Sequence, residues 1–210
     1  VTRIIAGAAK GRRLQTPRGE LTRPTSDRVR EALFSAVESW CGSLQGLRVL
    51  DLYAGSGAVG LEAWSRGATH VELVERDRPT AALVSANVRD LGCRDAHVVT
   101  ADVARHLAHP PAHLLADPST RFDVVFSDPP YARTDDEVAR DLELLQAWVA
   151  PDALVVVERS RRSPEPRWPT GIAGERSKRY GETVLHYAHA VPDQPGEQPD
   201  QQPDQQEDHR

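Results

Sequence analysis

The chain reads as an α/β protein built on an open, mostly parallel sheet with helices on both faces. Two observations predict this. From Leu47 onward, apolar and β-branched runs of strand length alternate with segments of helical period. The residues able to do chemistry (a Gly-rich turn at 55–60, Glu75, Asp102 and Asp128) each fall where one of those runs ends. Ligands in such sheets settle outside the carboxyl ends of the strands.

Residues 3–7 and 12–17 read as two short strands joined by a turn across Gly7 and Gly11. Ser26 and Asp27, just after Pro24, open a helix with Val29, Ala32, Leu33, Ala36 and Val37 on one face, ending near Gly42. A strand at 48–54 leads through Gly55, Gly57 and Gly60 into a short helix that stops at Gly67. The strand at 70–75 is followed by a helix at 79–91, whose Pro79 stands where a first-turn proline is tolerated. A strand at 96–102 precedes a Pro/His-rich connection that reads as a surface loop. Then come a strand from Phe122, a helix at 135–149, a strand at 153–158 and a last strand at 182–188. From Val191 the sequence is Pro-rich and acidic and cannot bury enough apolar area to offset chain entropy, so a disordered tail is expected. The organisation predicted is a basic β-hairpin extension at 1–25, a main domain at 26–190 and the tail at 191–210.

Net charge is −5, from 26 basic and 31 acidic residues, but it is unevenly spread. Arg3, Lys10, Arg12, Arg13, Arg18, Arg23, Arg28 and Arg30 crowd the start; Arg159, Arg161, Arg162, Arg167, Arg176, Lys178 and Arg179 form a second run. Two basic clusters on an acidic chain point to a polyanion docking on one face, although a solvated surface accounts for either cluster singly. No run of some 18 apolar residues exists, which argues against a membrane span, and the first residues lack the apolar region of a signal peptide. Cys41 and Cys93 form no CxxC, which fits a reduced cytosol. His106, His109 and His113 lie in the Pro/Ala-rich connection without a partner cysteine, so no metal site is expected. The four tryptophans read as packing residues.

The turn after the first sheet strand matches G-x-G-x-x-G, and Glu75 follows it by about 20 residues, as a dinucleotide fingerprint requires. Asp51, just ahead of the glycines, argues the other way: an acid there repels a pyrophosphate and suits a cationic ligand. S-adenosylmethionine carries an ammonium and a sulfonium and no phosphate. Glu75 can accept from ribose hydroxyls in either reading. Asp102 can accept from an adenine amine or cap the following turn.

The fourth sheet strand breaks into Asp128-Pro129-Pro130-Tyr131. Neither proline has an N–H to give, so the turn is stiff and rich in acceptors. A carboxylate, a carbonyl and a flat ring at one strand end suit a planar amine: two acceptors for its N–H groups and a face to stack on. A purely structural Pro-Pro turn is the plainer alternative.

In that order, Asp51-x-x-x-Gly55-x-Gly57, Glu75, Asp102 and Asp128-Pro-Pro-Tyr131 resemble the class I S-adenosylmethionine-dependent methyltransferases, in the branch that methylates exocyclic nitrogens. Arg3-Ile-Ile-Ala-Gly7, Gly11-Arg-Arg-Leu, Thr22-Arg-Pro-Thr25-x-Asp27-Arg-Val-Arg-Glu-Ala-Leu-Phe34 and Arg179-Tyr-Gly181 further resemble the bacterial 16S ribosomal RNA (guanine-N2)-methyltransferases. The resemblance implies a Rossmann-like class I fold, with a mostly parallel seven-stranded sheet and a small N-terminal hairpin/helix extension. It implies S-adenosylmethionine as cofactor, and a monomer acting on 16S rRNA, free or within the small subunit or an assembly intermediate. Asp128, Pro129 and Tyr131 would be catalytic. The cofactor would be held by Asp51, Tyr53, Gly55, Gly57, Glu75, Arg76, Asp102 and Val103, with Arg23 and Thr25 folding over its methionine end. Arg3, Lys10, Arg12, Arg13, Arg161 and Arg162 would carry RNA phosphates. Adenine-N6 methylation of DNA or RNA is the nearest competing activity, and a nicotinamide-dependent oxidoreductase a more distant one.

Overall fold

A computed structural model of the chain describes residues 2–17 and 27–191. Arg18, Arg23, Pro24, Thr25, Ser26 and the tail from 192 lie outside the described residues. Helix α1 (Asp27–Cys41) is followed by β1 (Arg48–Leu52), α2 (Ala58–Ser65), β2 (His70–Glu75), α3 (Arg78–Leu91) and β3 (Ala96–Thr100). Two short helices, α4 (Val103–Leu107) and α5 (Ala112–Ala116), lead to β4 (Phe122–Ser127) and α6 (Asp135–Leu145). The chain then runs through β5 (Val149–Ser160), β6 (Ile172–Tyr180) and β7 (Thr183–Ala190).

The seven strands form one sheet in the order β3-β2-β1-β4-β5-β7-β6. Pairing is parallel from β3 to β5, and β7 and β6 add an antiparallel edge. Alternation along the strands splits the core into two layers. Val49, Leu73, Phe126, Val156 and Leu185 face α1, α2 and α3. Leu50, Leu52, Val125, Val155 and Val157 face α4 and α6. Strands covered on both sides read as continuous apolar runs, which is why they were legible.

Four expectations need correction. The N-terminal segment makes a single antiparallel bridge, Arg3 with Arg13, rather than two strands. Ile4 and Leu14 N–H pair across the hairpin with the Arg12 and Thr2 carbonyls at 2.9 Å, but the amides between go elsewhere: Ile5 and Ala6 donate to the Glu62 carboxylate at 2.6 and 2.9 Å, and Ala9 to the Ser65 hydroxyl at 2.9 Å. The hairpin is therefore stitched to α2 instead of extending a ladder.

The Pro/His-rich connection is not a loop. Asp102 caps α4, and His106 on that helix meets the Glu72 carboxylate at 2.7 Å and packs against the Trp148 ring. No group of potential metal ligands occurs among the described residues. Strand β6 escaped the sequence because residues 174–179 are exposed and mostly polar or charged, so no apolar period marks them; pairing with β7 holds them. Helix α6 ends at Leu145, short of 149, and Val149 opens β5.

The tryptophans divide. Trp148 is fully buried, and its indole N–H reaches the Leu107 carbonyl at 3.0 Å. Trp64 and Trp168 pack against the two layers, while Trp40 is exposed at the end of α1 beside His189. Cys41 and Cys93 are free thiols, and no described helix is long and apolar enough to cross a membrane.

Candidate active site

The carboxyl ends of β1, β2, β3 and β4 converge. Leaving β1, the chain turns through Tyr53, Gly55 and Gly57, all with left-handed φ. At Gly57 a Cβ would lie 2.9 Å from Val84 Cγ1 and 3.2 Å from Leu73 Cδ2. Its missing side chain is thus required by the core under the loop, not only by a ligand above it. At Gly55 the nearest atom to a Cβ would be the Tyr53 carbonyl at 3.9 Å, so that glycine is on the open side.

Asp51 is buried beneath this loop and accepts the Gly60 N–H at 2.8 Å, tying the strand to the first turn of α2. Burial pushes its carboxyl up to about 7; the Gly60 N–H opposes this, and the nearby Glu75 charge adds to it. Glu75 closes β2 and accepts the Gly55 N–H at 3.1 Å and the Asp77 N–H at 2.8 Å, so one carboxylate shapes two loops.

Next to it opens a cleft of about 160 Å³ lined by Tyr53, Arg76, Asp102, Pro130, Ala132, Arg133 and Glu137. Asp102 lines this cleft and caps α4 by accepting the Arg105 N–H at 3.2 Å. Val103 turns its side chain into the core and presents no side chain to the cleft.

Arg133 was not foreseen. Its Nε donates to the Tyr53 hydroxyl at 3.1 Å, and its remaining N–H groups reach Glu137 at 2.9 Å and Asp141 at 3.3 Å. The Tyr53 hydroxyl in turn donates to Asp141. Burial and then the Asp141 carboxylate push the Tyr53 phenol above its usual range. Arg133 is held charged, because Tyr53, Asp141 and Glu137 outweigh its partial burial. Spacing in the sequence carried no sign of this network beyond Thr134 and Glu137, a legible capping box for α6.

At the end of β4, Asp128 N–H leans on the Leu52 carbonyl at 3.4 Å. Burial raises the Asp128 carboxyl well above the usual range; Glu158 and then Asp51 add to this, and Arg159 opposes it. Neither the Asp128 carboxyl nor the Pro129 carbonyl accepts a hydrogen bond from a described residue, whereas the Pro130 carbonyl accepts the Arg133 N–H at 2.8 Å. Pro129 is buried, and Tyr131 is 68% exposed.

The basic clusters are thinner than the sequence implied. Arg30 is fully buried against Asp27 and the Arg3 carbonyl, and Arg159 is buried against Asp135 at 2.6 Å. Arg12 reaches the Asp90 carbonyl at 2.6 Å, Arg3 lies 3.5 Å from Asp27, and Arg161 lies 3.7 Å from Glu182. Lys10, Arg13 and Arg162 are exposed. The first cluster rides on α2 and α3, and the second lies at the β5–β7–β6 edge. Arg176 of the second cluster lies over the Tyr187 ring, on the same side of the sheet as the first.

Comparison with known proteins agrees with this architecture. The Escherichia coli (strain K12) protein named Ribosomal RNA small subunit methyltransferase D is 35% identical over 183 residues, covering 87% of this chain and 86% of the relative. The Haemophilus influenzae protein of the same name is 36% identical over 164 residues, covering 77% and 80%. The solved structure of Escherichia coli yhhF superposes with a TM-score of 0.77 at 31% identity, covering 90% of this chain and 98% of that one. The fold is the Rossmann-like class I methyltransferase fold. Residues 2–189 match the model of the family Conserved hypothetical protein 95, and the chain belongs to that family.

Proposed function

We propose that this protein transfers a methyl group from S-adenosylmethionine to the exocyclic N2 amine of a guanine in 16S rRNA. Support for rRNA methylation comes from relatives named Ribosomal RNA small subunit methyltransferase D, spanning most of this chain. The observation that carries the chemistry is the pair of acceptors at the end of β4 beside the glycine loop, the Asp128 carboxyl and the Pro129 carbonyl, which take no hydrogen bond from a described residue.

The residues present fit this cofactor. Asp51, buried and raised to about 7, gains from a cation nearby, since a positive charge lets it ionise. Glu75 and Asp102 each keep acceptor capacity after their backbone hydrogen bonds, at positions suited to ribose hydroxyls and an adenine amine. Arg76 lines the same cleft, and Gly55 leaves its rim open. When bound, S-adenosylmethionine supplies an activated methyl on a sulfonium.

An aromatic amine is a poor nucleophile, because its lone pair is delocalised into the ring. Asp128 and the Pro129 carbonyl each accept one N–H, which draws the nitrogen toward a tetrahedral geometry and directs its lone pair at the methyl. The same acceptors stabilise positive charge developing on nitrogen. Tyr131 stacks on the base and fixes its plane. Holding the reactants in line accounts for much of the acceleration. The base must leave its stack to reach this strand-end pocket, which costs least in a single-stranded loop. Lys10, Arg13 and Arg162 carry phosphates.

Asp128→Ala should abolish methyl transfer to small-subunit rRNA while cofactor affinity by calorimetry stays within several-fold. Full activity in that variant refutes the assignment. Mapping the methylated base in rRNA from a deletion strain, with and without complementation, identifies the nucleotide and separates guanine N2 from adenine N6.

A further inference from the structure

Asp128 has a second acid beside it. Ser127 of β4 and Val157 of β5 are register partners in a parallel pair. The residues that follow them, Asp128 just past β4 and Glu158 within β5, therefore stand side by side, about 5 Å apart at the usual strand spacing. Alternation sets their direction. Val124 and Phe126 of β4, with Leu154 and Val156 of β5, all face the α1–α3 layer, and Asp128 and Glu158 continue those two rows. Glu158 is 9% exposed, and the Thr183 hydroxyl donates to its Oε1 at 3.4 Å. Its proximity to Asp128 also shows in the upward shift it imposes there.

A carboxylate beside an amine clamp offers one more acceptor than the amine uses. Guanine has the donor for it. Its Watson–Crick edge carries three donors in a row, two on N2 and one on N1. Adenine carries two donors on N6 but a lone pair on N1. Asp128 and the Pro129 carbonyl use both amine hydrogens, which leaves the N1 position facing the neighbouring strand end.

We infer that Glu158 is the residue that selects guanine, by accepting its N1–H beside the amine held by Asp128 and Pro129. This rests on the proposed methylation of a guanine amine. Adenine would set its N1 lone pair against the carboxylate, two acceptors face to face that repel each other. Thr183, at the start of β7, acts as a positioning residue by fixing the Glu158 carboxylate through Oε1.

The probe is small-subunit rRNA assembled with 2-aminopurine at the methylated position. That base keeps the amine but has a lone pair at N1. Wild type should prefer guanine to 2-aminopurine by about 100-fold or more in kcat/KM, as expected for a site built around a donor. Glu158→Gln, whose amide can donate to that lone pair, should shrink this ratio at least about tenfold. Glu158→Asp, a shorter acceptor, should lower the guanine rate but keep the ratio. A merely structural role for Glu158 moves both substrates together. A ratio unchanged within about twofold in Glu158→Gln, with cofactor affinity intact, overturns the inference and leaves the methylation reading standing. Failure of wild type to methylate the guanine substrate overturns the underlying reading, and the inference with it.

Discussion

Arg133 Nε donates to the Tyr53 hydroxyl at 3.1 Å, and this joins the loop after β4 to the loop after β1. Arg133 N–H also holds the Pro130 carbonyl, and its guanidinium is anchored on α6 through Glu137 and Asp141. The proposed amine clamp and the glycine loop are thereby fastened to one post.

Removing that link should be felt at both ends. Tyr53→Phe leaves the buried Asp141 with Arg133 as its remaining side-chain partner, a loss of about 1–2 kcal/mol in urea unfolding. Arg133→Lys should cost at least as much, because an ammonium cannot span Tyr53, Glu137 and Asp141 together. Both variants should raise KM for S-adenosylmethionine several-fold. Unchanged KM in both would mean the post serves α6 alone.

The raised Asp128 carboxyl predicts an acid limb in kcat/KM. Asp128 must be ionised to accept an amine N–H, so activity should rise with pH, with a midpoint well above the ordinary carboxylate value of about 4. Glu158 and Asp51 raise that midpoint and Arg159 lowers it, so Glu158→Gln should move the limb to lower pH. Profiles from pH 4 to 9 check this; identical limbs in the two proteins would contradict it.

Asp51 makes a stability prediction of definite sign. Its folded-state value, about 7, lies above the unfolded value of 3.8. The protonated form favours the folded state, so the contribution is full below pH 3.8 and lost as pH rises through 7. Asp51→Asn keeps an acceptor for the Gly60 N–H and abolishes that loss, which is up to about 4 kcal/mol. Its Tm should therefore gain on wild type between pH 4 and pH 7, then hold level, while cofactor affinity falls at least about tenfold. A constant Tm difference across this range would show that Asp51 does not titrate in the fold.

Gly57→Ala should destabilise by about 2–4 kcal/mol, combining a left-handed φ of 77° with a Cβ 2.9 Å from Val84. Gly55→Ala meets nothing closer than 3.9 Å and should cost less in stability than Gly57→Ala. Urea titrations of the pair separate core packing from loop conformation.

For RNA, replacing Lys10 and Arg13 with Ala should weaken binding across sequences and flatten the slope of log K against log salt by about 1.5. Replacing Arg30 or Arg159 should instead lower Tm, since both are buried and paired with acids. Filter binding at several salt concentrations, beside thermal melts, distinguishes the two classes.

What the chain states locally, it states in full. The strands β1, β2 and β4, the glycine turn, the first-turn proline of α3 and the Asp-Pro-Pro-Tyr turn depend on residues a few positions apart, so periodicity and turn chemistry reveal them. Position at a strand end followed from the same patterns, and that alone collected Asp51, Glu75, Asp102 and Asp128 into one region. Side chains whose meaning depends on distant partners were not legible. Arg30 and Arg159 look like surface charge until the fold buries them, Arg30 against Asp27 and the Arg3 carbonyl and Arg159 against Asp135. Exposed, charged β6 has no period of its own and exists as a strand because β7 pairs with it. Arg133 meets Tyr53 across 80 positions, and Glu158 comes beside Asp128 because β4 and β5 pair in register. Local sequence set the chemistry of the clamp; strand order decided which carboxylates and cations stand around it, because charges act through space and not along the chain.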